Sequence, residues 1–65
     1  MSSSFKMIER VGISTISISE AAKNAILEVS KSEKVSWFEI VEQRGRLTSN
    51  NEIEFQVTVK IGVKI

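Results

Sequence analysis

The sequence predicts an α+β fold of β-α-β-β order, a three-stranded antiparallel sheet packed on one helix. Three observations carry this. From Ile53 to Ile65 every odd position is apolar, while Glu52, Glu54, Gln56, Thr58, Lys60 and Lys64 alternate with them; that period of two marks a strand with one apolar face. Ala22, Ala25, Ile26 and Val29 fall at i, i+3, i+4 and i+7, one stripe of an amphipathic helix. Between these patterns, Ser36 to Leu47 is rich in aromatic and β-branched residues, which suit a pleated surface.

Each element follows from its local sequence. Met1 to Ser4 carries three serines and reads as a disordered N-terminus, which leaves residues 5–65 as a single domain. From Phe5 to Ile13 the odd positions are Phe5, Met7, Glu9, Val11 and Ile13, separated by Lys6, Ile8 and Arg10. That imperfect alternation predicts a first strand, and Gly12 near its end suggests a bulge or bend. Ser17 and Glu20 have the spacing of a capping box, in which the Ser17 hydroxyl accepts from the Glu20 N–H and the Glu20 carboxylate reaches back. The helix is expected over about Ser19 to Lys34, with Lys31 and Lys34 at the negative end of its dipole. Its inner stripe is built largely from small residues, which lets it lie close to a sheet. The second strand runs to Leu47, and Thr48-Ser49-Asn50-Asn51 forms the turn, because Asn tolerates a left-handed backbone. The all-apolar face of the last strand is expected to meet the helix.

The dimensions do not match. A strand of about fourteen residues spans roughly 45 Å, whereas a helix of about fifteen covers near 22 Å. A single chain of 65 residues with no Cys for a disulfide is at the size where help from other copies is common. Uncovered apolar surface and open sheet edges therefore point to self-assembly.

Composition excludes much chemistry. The chain holds no His, Cys, Asp, Tyr or Pro. Thiolate nucleophiles, Cys-type metal sites and the usual near-neutral base are thereby lost. No Gly-rich phosphate loop opens a helix, and no Asp-rich calcium loop is present, so no metal site is expected. Glu52 and Glu54 read as solvated carboxylates on an exposed strand face. A formal charge of +1 gives little reason to expect nucleic acid. No apolar run reaches the roughly 18 residues of a membrane span and no signal peptide is evident, so no membrane partner and a cytoplasmic location are expected. This is not the signature of an enzyme, and none is expected.

Two residues stand apart. Trp37 is the only Trp and begins a strand beside polar Ser36. It can be core packing, but a large ring at a sheet margin also suits an interface or ligand. Gln56 sits between Phe55 and Val57; it is either a solvent-facing amide or a donor–acceptor pair for the edge of a heterocycle.

The strings Ser36-Trp37-Phe38-Glu39-Ile40-Val41-Glu42-Gln43-Arg44-Gly45 and Glu54-Phe55-Gln56-Val57-Thr58-Val59-Lys60-Ile61-Gly62-Val63-Lys64 resemble the dodecins, small flavin-binding proteins. The Val11-Gly12-Ile13-Ser14 lead-in and the helix with Ser17, Ala21, Ala22 and Ala25 are also similar, so the resemblance covers Phe5 to Ile65. It departs in a helix-to-Trp37 link about a residue shorter, and in Val63, where the family often has an aromatic. The resemblance implies a hollow homo-dodecamer that binds paired flavins, FMN or riboflavin, between tryptophans at two-fold interfaces. It assigns stacking to Trp37, edge recognition to Gln56, a place near the ribityl chain to Glu42 and a phosphate contact to Arg44. Ser36, beside the Trp, joins this set. The expected function is flavin storage or buffering. The alternative is a shell of the same fold that holds a coenzyme A derivative or no ligand.

Overall fold

The computed structural model describes residues 4–65, so Met1 to Ser3 of the expected disordered terminus lie outside the described residues. The elements are β1 (Phe5–Ser14), α1 (Ile18–Ser30), β2 (Val35–Leu47) and β3 (Ile53–Lys64). Both outer strands pair antiparallel with β3, in the order β1-β3-β2. This is the β-α-β-β architecture predicted from the alternation and the helical stripe.

The core is thin. Val57, Val59, Ile61 and Val63 of β3 are fully buried beneath Ala21, Ala22, Ala25 and Val29 of α1. Ile8, Ile18, Ile26, Val35 and Phe55 pack around them at partial exposure. The apolar face of β3 therefore meets the helix, as its alternation requires. The pairing of Ile8 with Ile61 and Gly12 with Val57 puts the even positions of β1 on the same side. Phe5, Met7, Val11 and Ile13, about half exposed, occupy the opposite side.

Gly12 is not a bulge: β1 and β3 stay in continuous register from Phe5 to Ser14. A Cβ at Gly12 would collide with the Ala21 carbonyl oxygen and stand 3.0 Å from the Ala25 Cβ. Helix backbone rests on strand backbone here, and only glycine leaves room. The irregularities lie instead in β2, where the register shifts between Val35 and Trp37 and between Ile40 and Glu42.

At the helix start the Ser17 hydroxyl accepts the Glu20 N–H at 3.0 Å, the predicted cap. The reciprocal bond to the Glu20 carboxylate is not made, and Ser17 Oγ lies 3.4 Å from Ser19 Oγ. Ser17→Ala is expected to cost about 1 kcal/mol, typical of a lost N-cap. Thermal unfolding at fixed protein concentration checks this, with a fall in Tm of about 4–8 °C expected for a domain of this size. The helix ends at Ser30, four residues short of the expected Lys34, so its last turn carries no basic residue. The Lys34 carbonyl accepts the Lys64 N–H at 3.0 Å. Pairing with the sheet draws this segment out of the helix, a tertiary contact outweighing local propensity.

The predicted turn closes on Thr48, whose N–H donates to the Glu52 carbonyl at 2.8 Å. The left-handed residue is Asn51, at φ 61°. The sheet extends well past the helix, along a molecule 53 Å in its longest dimension. Leu47 and Ile53 near the hairpin tip are 65% and 54% exposed, as the mismatch of strand and helix lengths anticipates.

Candidate functional site

The two irregularities of β2 decide which side chains share the helix-free face of the sheet. Ser36 is the extra residue of the first, so Trp37 stands opposite Gly62 rather than on the side of Val35. Val41 is the extra residue of the second. Phe38 and Ile40 before it pair with core residues Ile61 and Val59, while Glu42, Arg44 and Arg46 after it pair with Thr58, Gln56 and Glu54. Without the second insertion a strict alternation could not place Trp37 and Arg44 on one face.

Trp37 lies flat on the backbone of Gly62. A Cβ at that glycine would meet the indole, 2.7 Å from Cζ2 and 2.8 Å from Nε1. Trp37 as a residue is 45% exposed. One face of the indole is thus seated on protein and a large part of it remains open. Gly62 was visible in the sequence only as a break in the polar set of β3, and the indole above it is the reason for that break.

Gln56 belongs to a chain of polar groups across the opposite end of the face. Arg44 Nε donates to Gln56 Oε1 at 2.8 Å, and Gln56 Nε2 donates to Glu54 Oε1 at 2.9 Å. Arg46 Nε donates to the same Glu54 oxygen at 2.9 Å. Glu54 is not the solvated carboxylate its position suggested. Its side chain is 18% exposed, and the bonds from Arg46 and then Gln56 hold its pKa below the ordinary carboxylate value. The same bond and charge pairing raise the pKa of Arg46. The β3 alternation already put Glu54 beside Gln56; the identity of Arg46 as its partner required the register.

The five residues expected to bind ligand therefore fall into two groups. Trp37 and Ser36 are at one end of the sheet, and Gln56 and Arg44 at the other, with Glu42 opposite Thr58 between them. Gly62 and Gln56 are six residues apart on β3, about 20 Å at strand rise.

The apolar stripe Phe5, Met7, Val11 and Ile13 borders this face on β1. On the other side of the sheet, a groove of about 330 Å³ between α1 and β2 is lined by Ala22, Ile26, Leu27, Phe38 and Ile40, together with Ser19 and Lys23. Among the described residues no group of three or more acidic, His or Cys side chains is arranged to hold a metal ion. Among the described residues no helix is long and apolar enough to cross a membrane.

A family model described as Dodecin matches residues 5–65. Among solved structures, a dodecin from Streptomyces davaonensis is 30% identical at a TM-score of 0.90, covering 100% of this chain and 97% of that one. A Thermus thermophilus protein is 28% identical at a TM-score of 0.89, with 98% and 96% covered. A Mycobacterium tuberculosis protein described as a calcium dodecin with a calcium-binding site shares the fold, at 24% identity and a TM-score of 0.77, with 95% and 87% covered. No curated protein matches the chain.

Proposed function

The chain belongs to the dodecin family, and on that premise we propose that it stores or buffers flavin, holding FMN or riboflavin between Trp37 side chains at the subunit interfaces of a dodecamer. Flavin binding and assembly into oligomers are known for the family. The observation that carries the reading is the split site. Gly62, on which Trp37 rests, and Gln56 share one face but lie six residues, about 20 Å of strand rise, apart along β3, so a ligand gripped by both is best supplied by different copies. A two-fold operation that runs a partner's strands antiparallel to these brings its Gln56 end toward Trp37, and the reverse by symmetry.

The residues fit a flat heteroaromatic ligand. An indole backed by Gly62 presents a rigid aromatic surface, and stacking of such rings adds about 0.5–1.5 kcal/mol beyond area burial. The Gln56 amide offers both a donor and an acceptor. Arg44 uses Nε on Gln56 and keeps its terminal nitrogens for a phosphate, which a planar guanidinium suits. A bound flavin supplies redox and light-absorbing chemistry of its own. The side chains around it bind and orient. None of Trp37, Gln56, Arg44, Glu42 or Ser36 is poised as a nucleophile or near-neutral proton donor, which favours capture over turnover.

Riboflavin and FMN emission are expected to fall steeply on titration with the protein, and sedimentation should return close to twelve times the 7.3 kDa chain. Unchanged emission at micromolar protein overturns the ligand, and a monomer mass overturns the split-site account. A colourless dodecamer with unchanged emission favours the shell without flavin.

A further inference from the structure

The Gln56 amide is held in one orientation from both sides. Arg44 Nε can only donate, so the atom 2.8 Å from it must be the amide oxygen. Carboxylate Glu54 can only accept, so the atom 2.9 Å from it must be the amide nitrogen. A glutamine with ordinary neighbours can turn its amide over and exchange donor for acceptor; here both neighbours oppose the exchange. Arg46 in turn fixes Glu54, through a 2.9 Å bond to the same oxygen that receives Gln56. Each amide atom retains one position after these bonds, a single N–H and a single lone pair.

We infer that Glu54, anchored by Arg46, is a positioning residue that locks the Gln56 amide so that it selects ligands whose edge presents an N–H beside a carbonyl oxygen. This rests on the flavin reading of the face and adds its specificity. The isoalloxazine edge bearing N3–H and its two flanking carbonyls is of that class. A ligand alkylated at N3 loses its donor and leaves the free lone pair of Gln56 Oε1 without a partner. An amide free to turn would bring its N–H to whatever acceptor remained and would penalise the alkylated ligand less. The locked amide cannot adapt, so discrimination is largest when Glu54 is in place. The lowered pKa of Glu54 keeps its carboxylate an acceptor at neutral pH.

The test compares lumiflavin with 3-methyl-lumiflavin by quenching of their emission, on the assembled protein and its Glu54→Ala and Arg46→Ala variants. The unmodified protein is expected to prefer lumiflavin by about tenfold, the scale of one hydrogen bond gained and one unpaired group avoided. Glu54→Ala should reduce that preference to about twofold, chiefly by relieving the penalty on 3-methyl-lumiflavin. Arg46→Ala, which removes an exposed side chain and only loosens Glu54, should give an intermediate ratio. The ratio between two ligands on one protein is insensitive to a general loss of folded material, which a merely structural role would produce. Retention of the full preference in both variants overturns the inference and leaves flavin binding intact. If Glu54→Ala fails to assemble, an unaltered ratio in Arg46→Ala overturns it alone. Absence of lumiflavin binding to the unmodified protein overturns the flavin reading itself.

Discussion

Trp37→Ala should abolish most flavin quenching while leaving the fold nearly as stable as before. The indole is seated on Gly62 by one face only and Trp37 as a residue is 45% exposed, so removing the ring takes little from the core of Val57, Val59, Ile61 and Val63. Its contribution to a bound planar ligand is much larger. Truncating a buried aromatic anchor at a binding surface commonly costs 2 kcal/mol or more, about thirtyfold in affinity. When a two-fold pairs the site, both copies of the ring are lost together. Equilibrium titration with riboflavin reads the affinity, and thermal unfolding reads the stability. A variant that quenches as well as the parent removes the stacking role of Trp37. Trp37→Phe should retain part of the binding, because a smaller ring still stacks.

Gly12→Ala is expected to do the reverse, with a large loss of stability from a residue on the helix side of the sheet, away from the face of Trp37 and Gln56. The added methyl meets the carbonyl oxygen of Ala21 and the Cβ of Ala25. Neither can rotate away, since one is backbone and the other has no rotamers. The helix must lift from β1, and the lift reaches the core, because Ala21, Ala22 and Ala25 are the residues that cover β3. It also strains the 3.0 Å bond from Asn24 Nδ2 to the Ile13 carbonyl. Overpacking of this kind costs about 1–3 kcal/mol, a large share of what a 65-residue chain has to lose. Chemical denaturation with a folded, ligand-competent Gly12→Ala variant of unchanged midpoint contradicts the close approach. The two variants thus separate binding from folding on a sheet that serves both.

Much of the architecture is legible in the chain because it depends on period. The odd positions of β3 are apolar without exception, and no helix tolerates that pattern at its surface, so the central strand and its buried face follow directly. The alanine stripe behind Ser17 likewise fixes the existence of α1 and the face it turns inward. The helix ends four residues before its local sequence predicts, because the Lys34 carbonyl accepts the Lys64 N–H and that segment joins the sheet. Gly12 answers to a close neighbour, not to a bulge. A lone glycine in a strand signals either an irregular ladder or a close neighbour, and the neighbour that decides, Ala21, belongs to another element.

Trp37 and Gln56 could be singled out as unusual from one-dimensional position, and the dodecin resemblance attached roles to them. Their placement on a common face could not be read that way. Parity along β2 changes at Ser36 and again near Val41, and such insertions are set by pairing with β3, which local sequence does not encode. The same holds for Arg46, which joins Glu54 only because the hairpin register brings them opposite each other. Sequence alone therefore determined the elements, their order and the buried side of β3, since hydrophobic periodicity is a property of each segment by itself. Tertiary structure decided the helix terminus, the seat of the indole on Gly62, the clamped amide of Gln56 and the face they share, since these arise from contacts between segments remote in the chain.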